Sequence, residues 1–257
     1  MRKISTLVVS VLCMMMPVGA EAQVPTAFVS KGATDIQAQP HTITQTNSGA
    51  QWAPIDPMVR SITMDDGLPS NAVRSVVQGS KGYMWFGTDN GLCRFDGYDV
   101  KTYYNPFTTV DQFVSALTAC EEGLLVGCNN GAYLFCNATD RFQKLSDKIT
   151  APVLNFSLDG DQNIWISTNG QGVFRYNLTT HELHQYPMKN IQGKVQSTLV
   201  DANNQVWMLC NHGGASIYHL NKSTDQFEAF PLKGDATMFY GMAMLAAPDG
   251  NLYVGTW

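Results

Sequence analysis

Short stretches in which apolar and polar residues alternate follow one another through most of the chain. The clearest group of four lies at residues 72–78, 83–88, 92–96 and 100–104, separated by Gly, Asn, Asp and Ser. Alternation with a period of two places side chains on opposite faces of a strand, and Asn90-Gly91 suits a tight hairpin turn. The pattern therefore predicts four short antiparallel strands joined by hairpins.

This group of strands is repeated along the chain. Each copy has a large apolar residue in its second strand, namely Trp85, Leu125, Trp165, Trp207 and Tyr253, spaced 40, 40, 42 and 46 residues apart. A glycine opens the third strand at Gly91, Gly131, Gly172 and Gly214, and an aromatic residue follows it at Phe95, Phe135, Tyr176 and Tyr218. Four strands per 40–45 residues with a Trp and Gly signature are typical of β-propeller blades. The sequence predicts an all-β protein built from four-stranded antiparallel blades, with complete blades near 68–105, 112–145, 151–187 and 193–230.

The chain divides into three predicted regions. Residues 1–22 have a basic start, an apolar run and the small-x-small sequence Ala20-Glu21-Ala22, which predict a secretory signal peptide rather than a membrane anchor. Residues 23–58 are rich in Gln, Thr, Ala, Ser and Pro without an apolar period, and we interpret them as a polar leader that needs no structure of its own. The propeller then occupies residues 59–257, and residues 59–64 are predicted to form a strand that would normally complete the last blade but has no last blade to close in this chain.

Composition narrows the classes of function. Charged residues make up 14% of the chain, against about 25% in ordinary soluble domains, because stacked blades bury both faces of each sheet. The net charge of −5 argues against binding to nucleic acid or to an anionic membrane surface. The cysteines after residue 22 are odd in number and form no C-x-x-C pair, so we predict buried free thiols, with no disulfide framework, metal site or cofactor.

The first repeat resembles a known family. The string Asp-Gly-Leu-Pro-Ser-Asn-Ala-Val at 66–73, followed by Lys-Gly-Tyr-Met-Trp-Phe-Gly-Thr-Asp-Asn-Gly-Leu at 81–92, is similar to the two-component regulator propeller repeat. The second repeat departs from the pattern, because Leu125 replaces Trp and Asn129-Asn130 replaces Thr-Asp-Asn. The resemblance covers roughly residues 59–257.

The resemblance implies a function. Such repeats form the periplasmic sensor of hybrid two-component systems in gut bacteria that feed on polysaccharides. Full-length members typically contain two seven-bladed propellers, an immunoglobulin-like domain, a membrane helix, a histidine kinase, a receiver and a DNA-binding domain. The expected function is thus ligand sensing in the periplasm, with an oligosaccharide as ligand and with the remaining propeller, kinase and receiver domains of an inner-membrane parent as partners. The chain itself is not expected to be an enzyme, whereas its parent would be a protein histidine kinase.

The last residues raise an expectation about completeness. Residues 253–257 align with residues 85–89, which end a second strand. We therefore expect about four and a half blades of the seven in the family's propeller, with the interruption in blade five. The sequence does not identify the ligand or the oligomeric state.

One face of the propeller carries the candidate binding residues. Turns between second and third strands project to the same face as the connections between blades, and propellers generally bind ligands there. The polar residues in these turns are Asp89, Asn90, Asn129, Asn130, Asn169, Gln171, Asn211 and His212. Amides and an imidazole suit sugar hydroxyls, which need paired donors and acceptors. The alternative for each residue is that it only serves turn geometry.

An enzyme on the same architecture, such as a polysaccharide lyase, is the second hypothesis. It needs converging His, Tyr or carboxylate groups, and His212 is the single histidine at a turn of this face. Two short motifs are interpreted structurally. Residues 180–184 (Thr-His-Glu-Leu-His) are predicted to lie on a surface strand, and residues 159–163 (Asp-Gly-Asp-Gln-Asn) to form a hairpin turn, because Ile164 stands where a calcium loop needs Gly.

Overall fold

The fold is a series of antiparallel sheets in a computed structural model that describes residues 27–29, 61–108, 110–187, 194–211, 215–230, 241–247 and 250–256. Four sheets have four strands each, and a fifth has three. Within each of the four larger sheets the strands are adjacent in chain order. The prediction of four-stranded β-propeller blades is confirmed.

The strand boundaries follow the predicted repeat closely. Blade one contains β2 (Val73–Gln78), β3 (Met84–Thr88), β4 (Gly91–Phe95) and β5 (Val100–Tyr103). Blade two contains β6 (Val114–Ala119), β7 (Gly123–Cys128), β8 (Gly131–Cys136) and β9 (Arg141–Lys144). Blade three contains β10 (Val153–Leu158), β11 (Asn163–Thr168), β12 (Gly172–Asn177) and β13 (Leu183–Tyr186). Blade four contains β14 (Lys194–Val200), β15 (Val206–Asn211), β16 (Ala215–Asn221) and β17 (Gln226–Phe230).

The fifth sheet combines two distant parts of the chain. Strands β18 (Gly241–Ala246) and β19 (Leu252–Thr256) form a hairpin, and β1 (Ala27–Val29) pairs antiparallel with β19. Strand β1 lies inside the segment that the sequence analysis interpreted as an unstructured leader. Its composition gave no strand signal, because the pairing uses backbone groups along the edge of β19 and requires no particular side chains.

The strand predicted at residues 59–64 differs from the structure. Residues 61–63 are not in a strand, and Met64–Asp66 form one turn of 3-10 helix. Thr63 caps this turn: its Oγ1 accepts from the Asp65 amide at 3.2 Å, and its own amide donates to Asp66 Oδ2 at 2.8 Å. Gly67 ends the turn at φ 105°. Residues 59–60 lie outside the described part of the chain, and from Thr63 onward the Thr-x-x-Asp capping box favours a helical turn over a strand.

The core of the molecule lies between neighbouring blades. Trp85, Leu125 and Trp165 occupy equivalent places in β3, β7 and β11, and each is at most 2% exposed because the following blade covers it. Trp85, for example, contacts the Phe135 ring of blade two, with ring centroids 5.3 Å apart. Trp207 of β15 is partly buried against the three-stranded sheet. The predicted packing of this series between blades is confirmed.

Two indole groups are held by aspartates in the turn between the first and second strands. Asp159 accepts the Nε1–H of Trp165 at 2.8 Å, and Asp201 accepts that of Trp207 at 2.9 Å. In blade one the equivalent position is Gly79, whose missing Cβ would lie 2.7 Å from Trp85 Nε1. The predicted hairpin at 159–163 is thus also the anchor of the blade-three tryptophan.

Charged contacts join the outer strands of adjacent blades. Asp225 of blade four accepts a hydrogen bond from the Tyr186 hydroxyl at 2.7 Å and forms an ion pair with Arg175 at 3.0 Å. Asp140 of blade two likewise accepts hydrogen bonds from the Tyr103 hydroxyl and the Lys101 ammonium of blade one. Burial opposes ionisation of Asp225, but the Tyr186 hydrogen bond and the Arg175 charge outweigh it and lower the pKa of Asp225. Both aspartates sit at positive φ in the turn between the third and fourth strands. The turns therefore carry the inter-blade contacts on that face.

Candidate functional site

Every first strand bends at the same place. A register shift separates Val73 from Ser75 in β2, and the same irregularity recurs in β6, β10, β14 and β18. These five strands are neighbours from one sheet to the next, so they line the axis of the propeller. A bulge adds one residue and redirects its side chain, and it is frequent near binding sites. In blade one the extra residue is Arg74, and in blade four it is Gln196.

The predicted site residues follow the ends of the second strands β3, β7, β11 and β15. Because the strands alternate in direction, their turns all open on the face that also carries the blade-to-blade connections. We call this surface the connection face. Asn90 and Asn169 are exposed there, and Asn130 and Gln171 are half-buried. His212 lies outside the described residues.

In blade one the predicted residue Asp89 is held in an ion pair. Arg74 donates to Asp89 through Nε at 2.6 Å and through a terminal nitrogen at 2.8 Å. These hydrogen bonds lower the pKa of Asp89, so the carboxylate stays charged at neutral pH. Arg74 also lies over the Phe113 ring, 5.5 Å from its centroid. The pair fixes the turn to the bulge of the first strand.

The other blades fix their turns in the same way with different chemistry. Asn129 donates from Nδ2 to Asp111 at 2.8 Å, and Asn211 donates from Nδ2 to Gln196 at 3.3 Å. Gln171 accepts from the amides of Thr150 and Ala151 at 2.9 and 2.8 Å. Each of these polar side chains therefore joins the turn to the start of the first strand in its own blade. These four hydrogen bonds use part of the predicted polar character to hold the turns.

Some buried polar atoms at this face nevertheless lack a hydrogen-bond partner within the described part of the chain. They include Asn130 Oδ1, Asn211 Oδ1 and the Tyr133 hydroxyl. A buried polar group without a partner costs about 1–3 kcal/mol, so hydrogen bonding of these groups to a water molecule or a ligand is favourable. Burial raises the pKa of Tyr133, and the neighbouring Asn105 and Asn130 amides counter part of that rise. The hydroxyl is therefore neutral and able both to donate and to accept.

The connection from blade one to blade two adds aromatic surface that the sequence analysis did not select. Tyr104 and Phe107 are 57% and 52% exposed on it. A signal existed in the sequence, since Tyr-Tyr-Asn-Pro-Phe at 103–107 places aromatic residues at the end of the predicted fourth strand and in the connection after it, where polar residues are usual. The candidate residues came only from the hairpin turns of this face and so did not include Tyr104 and Phe107.

A cavity of about 700 Å³ opens on the opposite face. It lies among the hairpins between first and second strands of blades one to three, and its lining includes Gln78, Glu121, Leu158 and Gln162. A smaller cavity of about 220 Å³ lies between blades three and four, beside Asp161, Arg175 and Lys222. The larger volume on this side was not anticipated, because hairpin sequences reveal turn geometry and not the space that the turns enclose.

The described residues include no group of three or more His, Cys, Asp or Glu side chains that could hold a metal ion. Cys93, Cys128 and Cys210 are buried free thiols, and burial raises the pKa of Cys128 and Cys210 to about 12. Such thiols are protonated at neutral pH and behave as small apolar groups. The described amide, hydroxyl and aromatic groups of the connection face can form hydrogen bonds and stack.

The comparisons with known proteins agree with this architecture. Residues 67–90 match the family model of the two component regulator propeller, so the chain carries at least one such repeat. No curated protein matches the chain in sequence.

Similar solved structures include two extracellular domains from B. thetaiotaomicron assigned to hybrid two component systems. The BT4673 domain has a TM-score of 0.62 and 20% sequence identity over 74% of this chain. The BT3049 domain has a TM-score of 0.64 and 19% sequence identity over 77% of this chain. The chain spans only 26% and 29% of those two proteins. A streptogramin B lyase has a TM-score of 0.59 and 18% identity over 73% of this chain and 63% of its own. At these identities the likeness shows the propeller fold alone.

Proposed function

We propose that this propeller, with a two component regulator propeller repeat at residues 67–90, is the exported ligand-sensing part of a hybrid two-component signalling protein. The match of that repeat is the observation that carries the proposal. The similar extracellular domains support it, because they show the same fold in proteins assigned to such systems. In this scheme the chain binds and does not catalyse, and histidine kinase activity belongs to other domains of the parent.

The proposal includes a location and partners. A signal peptide at residues 1–22 would export the chain to the periplasm, and the parent would be anchored in the inner membrane next to its kinase and receiver. In the described residues, no helix has the length and apolar character needed to cross a membrane. The partners within the parent would be the remaining propeller and the kinase and receiver domains.

The proposed ligand is an oligosaccharide bound at the connection face. The exposed amides Asn90 and Asn169 and the buried acceptors Asn130 Oδ1 and Asn211 Oδ1 support this, because neutral amides match sugar hydroxyls. A lyase reaction at this face is less well supported. The described histidines lie elsewhere: His181 and His184 are at the turn before β13 and in that strand, and His219 is in β16.

Calorimetry on the purified chain tests the proposed function. The probes are neutral hexasaccharides of glucose, xylose, mannose and arabinose, with a sulfated heparin hexasaccharide as the charged comparison. We expect at least one neutral hexasaccharide to bind, and the double variant N169A/H212A to weaken it about tenfold without lowering the melting temperature.

The matched control is Asn203→Ala, which removes an exposed amide from a hairpin on the opposite face and should leave the affinity unchanged. Binding that N169A/H212A does not alter would place the ligand away from these two turns. If none of the hexasaccharides binds, the oligosaccharide proposal is wrong.

A further inference from the structure

The connection between β5 and β6, residues 104–113, is held in one shape by its own side chains. Gln112 accepts from the Asn105 amide at 2.6 Å and donates from Nε2 to the carbonyl oxygens of Asn105 and Thr108 at 3.2 and 2.7 Å. Asn105 Oδ1 accepts from the Phe107 amide at 2.9 Å. Residue 109 is outside the described part of the chain, and the hydrogen bonds of Gln112 join it to the residues before residue 109. Tyr104 and Phe107 are therefore presented by a backbone that is already ordered.

Two aromatic rings stand on this ordered connection with half of their surface exposed. The Tyr104 ring lies over the start of β4, where a Cβ on Gly91 would be 3.5 Å from its Cδ1. The Phe107 ring stacks on the buried Tyr133 ring, with centroids 5.4 Å apart and planes at 23°. An exposed aromatic ring that is already packed against a neighbour loses less entropy when a ligand stacks on it, which favours binding there.

The polar groups near the Phe107 ring point to the chemistry of the occupant. The Tyr133 hydroxyl and Asn130 Oδ1 are buried without a hydrogen-bond partner in the described residues, and Asn105 Nδ2 has the sulfur of Cys128 at 3.7 Å. All are neutral groups. The nearby carboxylate of Asp111 already accepts a hydrogen bond from Asn129. A ligand that matches the site needs a flat apolar face and several neutral groups that can both donate and accept.

We infer that Tyr104 and Phe107 form an aromatic platform on which a neutral pyranose or furanose ring stacks, with its hydroxyls bonded to Asn130 and, after a shift of the Phe107 ring that covers it, to Tyr133. A saccharide ring has an apolar face of C–H groups and a rim of hydroxyls, which is the combination that the platform and the polar groups near it require. The inference rests on the proposed function and deepens it, since it places the sugar at the junction of blades one and two. This location differs from the turns of blades three and four, whose part in binding the double variant N169A/H212A tests.

The same neutral hexasaccharides and calorimetry test the platform. We expect Tyr104→Ala and Phe107→Ala each to weaken binding about tenfold. Tyr133→Phe should also weaken it, while the free energy of unfolding stays the same or rises, because removing a buried hydroxyl without a partner relieves a cost. If Tyr133 had only a structural role, Tyr133→Phe would not weaken binding while leaving the free energy of unfolding unchanged or higher.

Controls keep the outcome decisive. Phe107→Trp retains an aromatic surface and should bind within about threefold of the unmodified chain. Tyr98→Ala removes a ring that is 86% exposed in the turn between β4 and β5, on the opposite face, and should have no effect on affinity. If a neutral hexasaccharide binds and the three platform variants bind it equally well, the platform is wrong while the proposed function stands. Binding of the sulfated hexasaccharide alone would overturn the assignment to a neutral ligand.

Discussion

At the scale of single residues, two aspartates tie the hairpin between the first and second strands of blades three and four to the tryptophan of the second strand. Trp165 is 1% exposed, and its indole N–H has Asp159 as its acceptor at 2.8 Å. The carboxylate also accepts from the Asn163 amide, so one side chain closes the hairpin and satisfies the buried indole. A hairpin of different length would move the Asp159 carboxylate away from the Asn163 amide or from the Trp165 indole N–H.

We expect Asp159→Ala to lower the free energy of unfolding by about 1–3 kcal/mol, because it leaves a buried N–H without an acceptor. Asp201→Ala is the matched comparison, and it should cost less because Trp207 is only partly buried. Urea denaturation monitored by tryptophan fluorescence gives both values. Equal stability of Asp159→Ala and the unmodified chain would show that the hydrogen bond contributes nothing.

At the scale of secondary-structure elements, the glycine that opens each third strand has a conformational reason. Gly91, Gly131 and Gly172 have φ of 128°, 134° and 84°. At Gly131 the space is also closed, since a Cβ there would lie 2.5 Å from the Ile149 carbonyl oxygen. The glycine thus lets the hairpin turn back on itself while the next connection passes close to the backbone.

Replacing Gly131 with Ala should therefore destabilise blade two by more than the same change at Gly82. Gly82 has φ 83° but nothing within 4 Å of its Cβ position, so its variant carries backbone strain alone, about 1–3 kcal/mol. The difference between the two unfolding free energies, measured by thermal and urea denaturation, reports the contact with Ile149 together with the difference in backbone strain between φ 134° and φ 83°. A smaller loss for Gly131→Ala than for Gly82→Ala would contradict this.

The elements also show what could be predicted from the sequence. Strands with alternating residues and Asn-Gly or Gly turns were placed within a few residues, because both signals are local. Strand β1 and the bulges were not foreseen, since they depend on edges and neighbours that lie far away in the chain. The same reason limited the site: turn sequences placed Asp89 and Gln171 on the connection face, but only the structure shows that Arg74 and the 150–151 backbone already occupy them.

At the scale of the whole molecule, two sheet surfaces carry exposed apolar residues. Val76 of β2 is 47% exposed on the side of blade one that faces away from blade two, and Leu245 of β18 is 63% exposed on the fifth sheet. Sheet faces of this kind favour association between molecules.

We expect the purified chain to self-associate, and the double variant V76E/L245E to shift it toward monomer, as measured by gel filtration with light scattering. Tyr98→Glu introduces the same charge at another exposed apolar residue, which lies in a turn, and should leave the association unchanged. A monodisperse monomer from the unmodified chain would contradict this prediction.

The burial of each blade's large apolar residue by the following blade also governs the order in which the chain can fold as it is made. Trp85 is covered only when blade two has formed, and Leu125 only when blade three has. With about 40 residues per blade and synthesis at about 5–20 residues per second, each newly formed sheet waits about 2–8 s for its cover. A growing chain therefore exposes the uncovered apolar face of its newest blade, and a chaperone that binds this face would protect it until the next blade has formed.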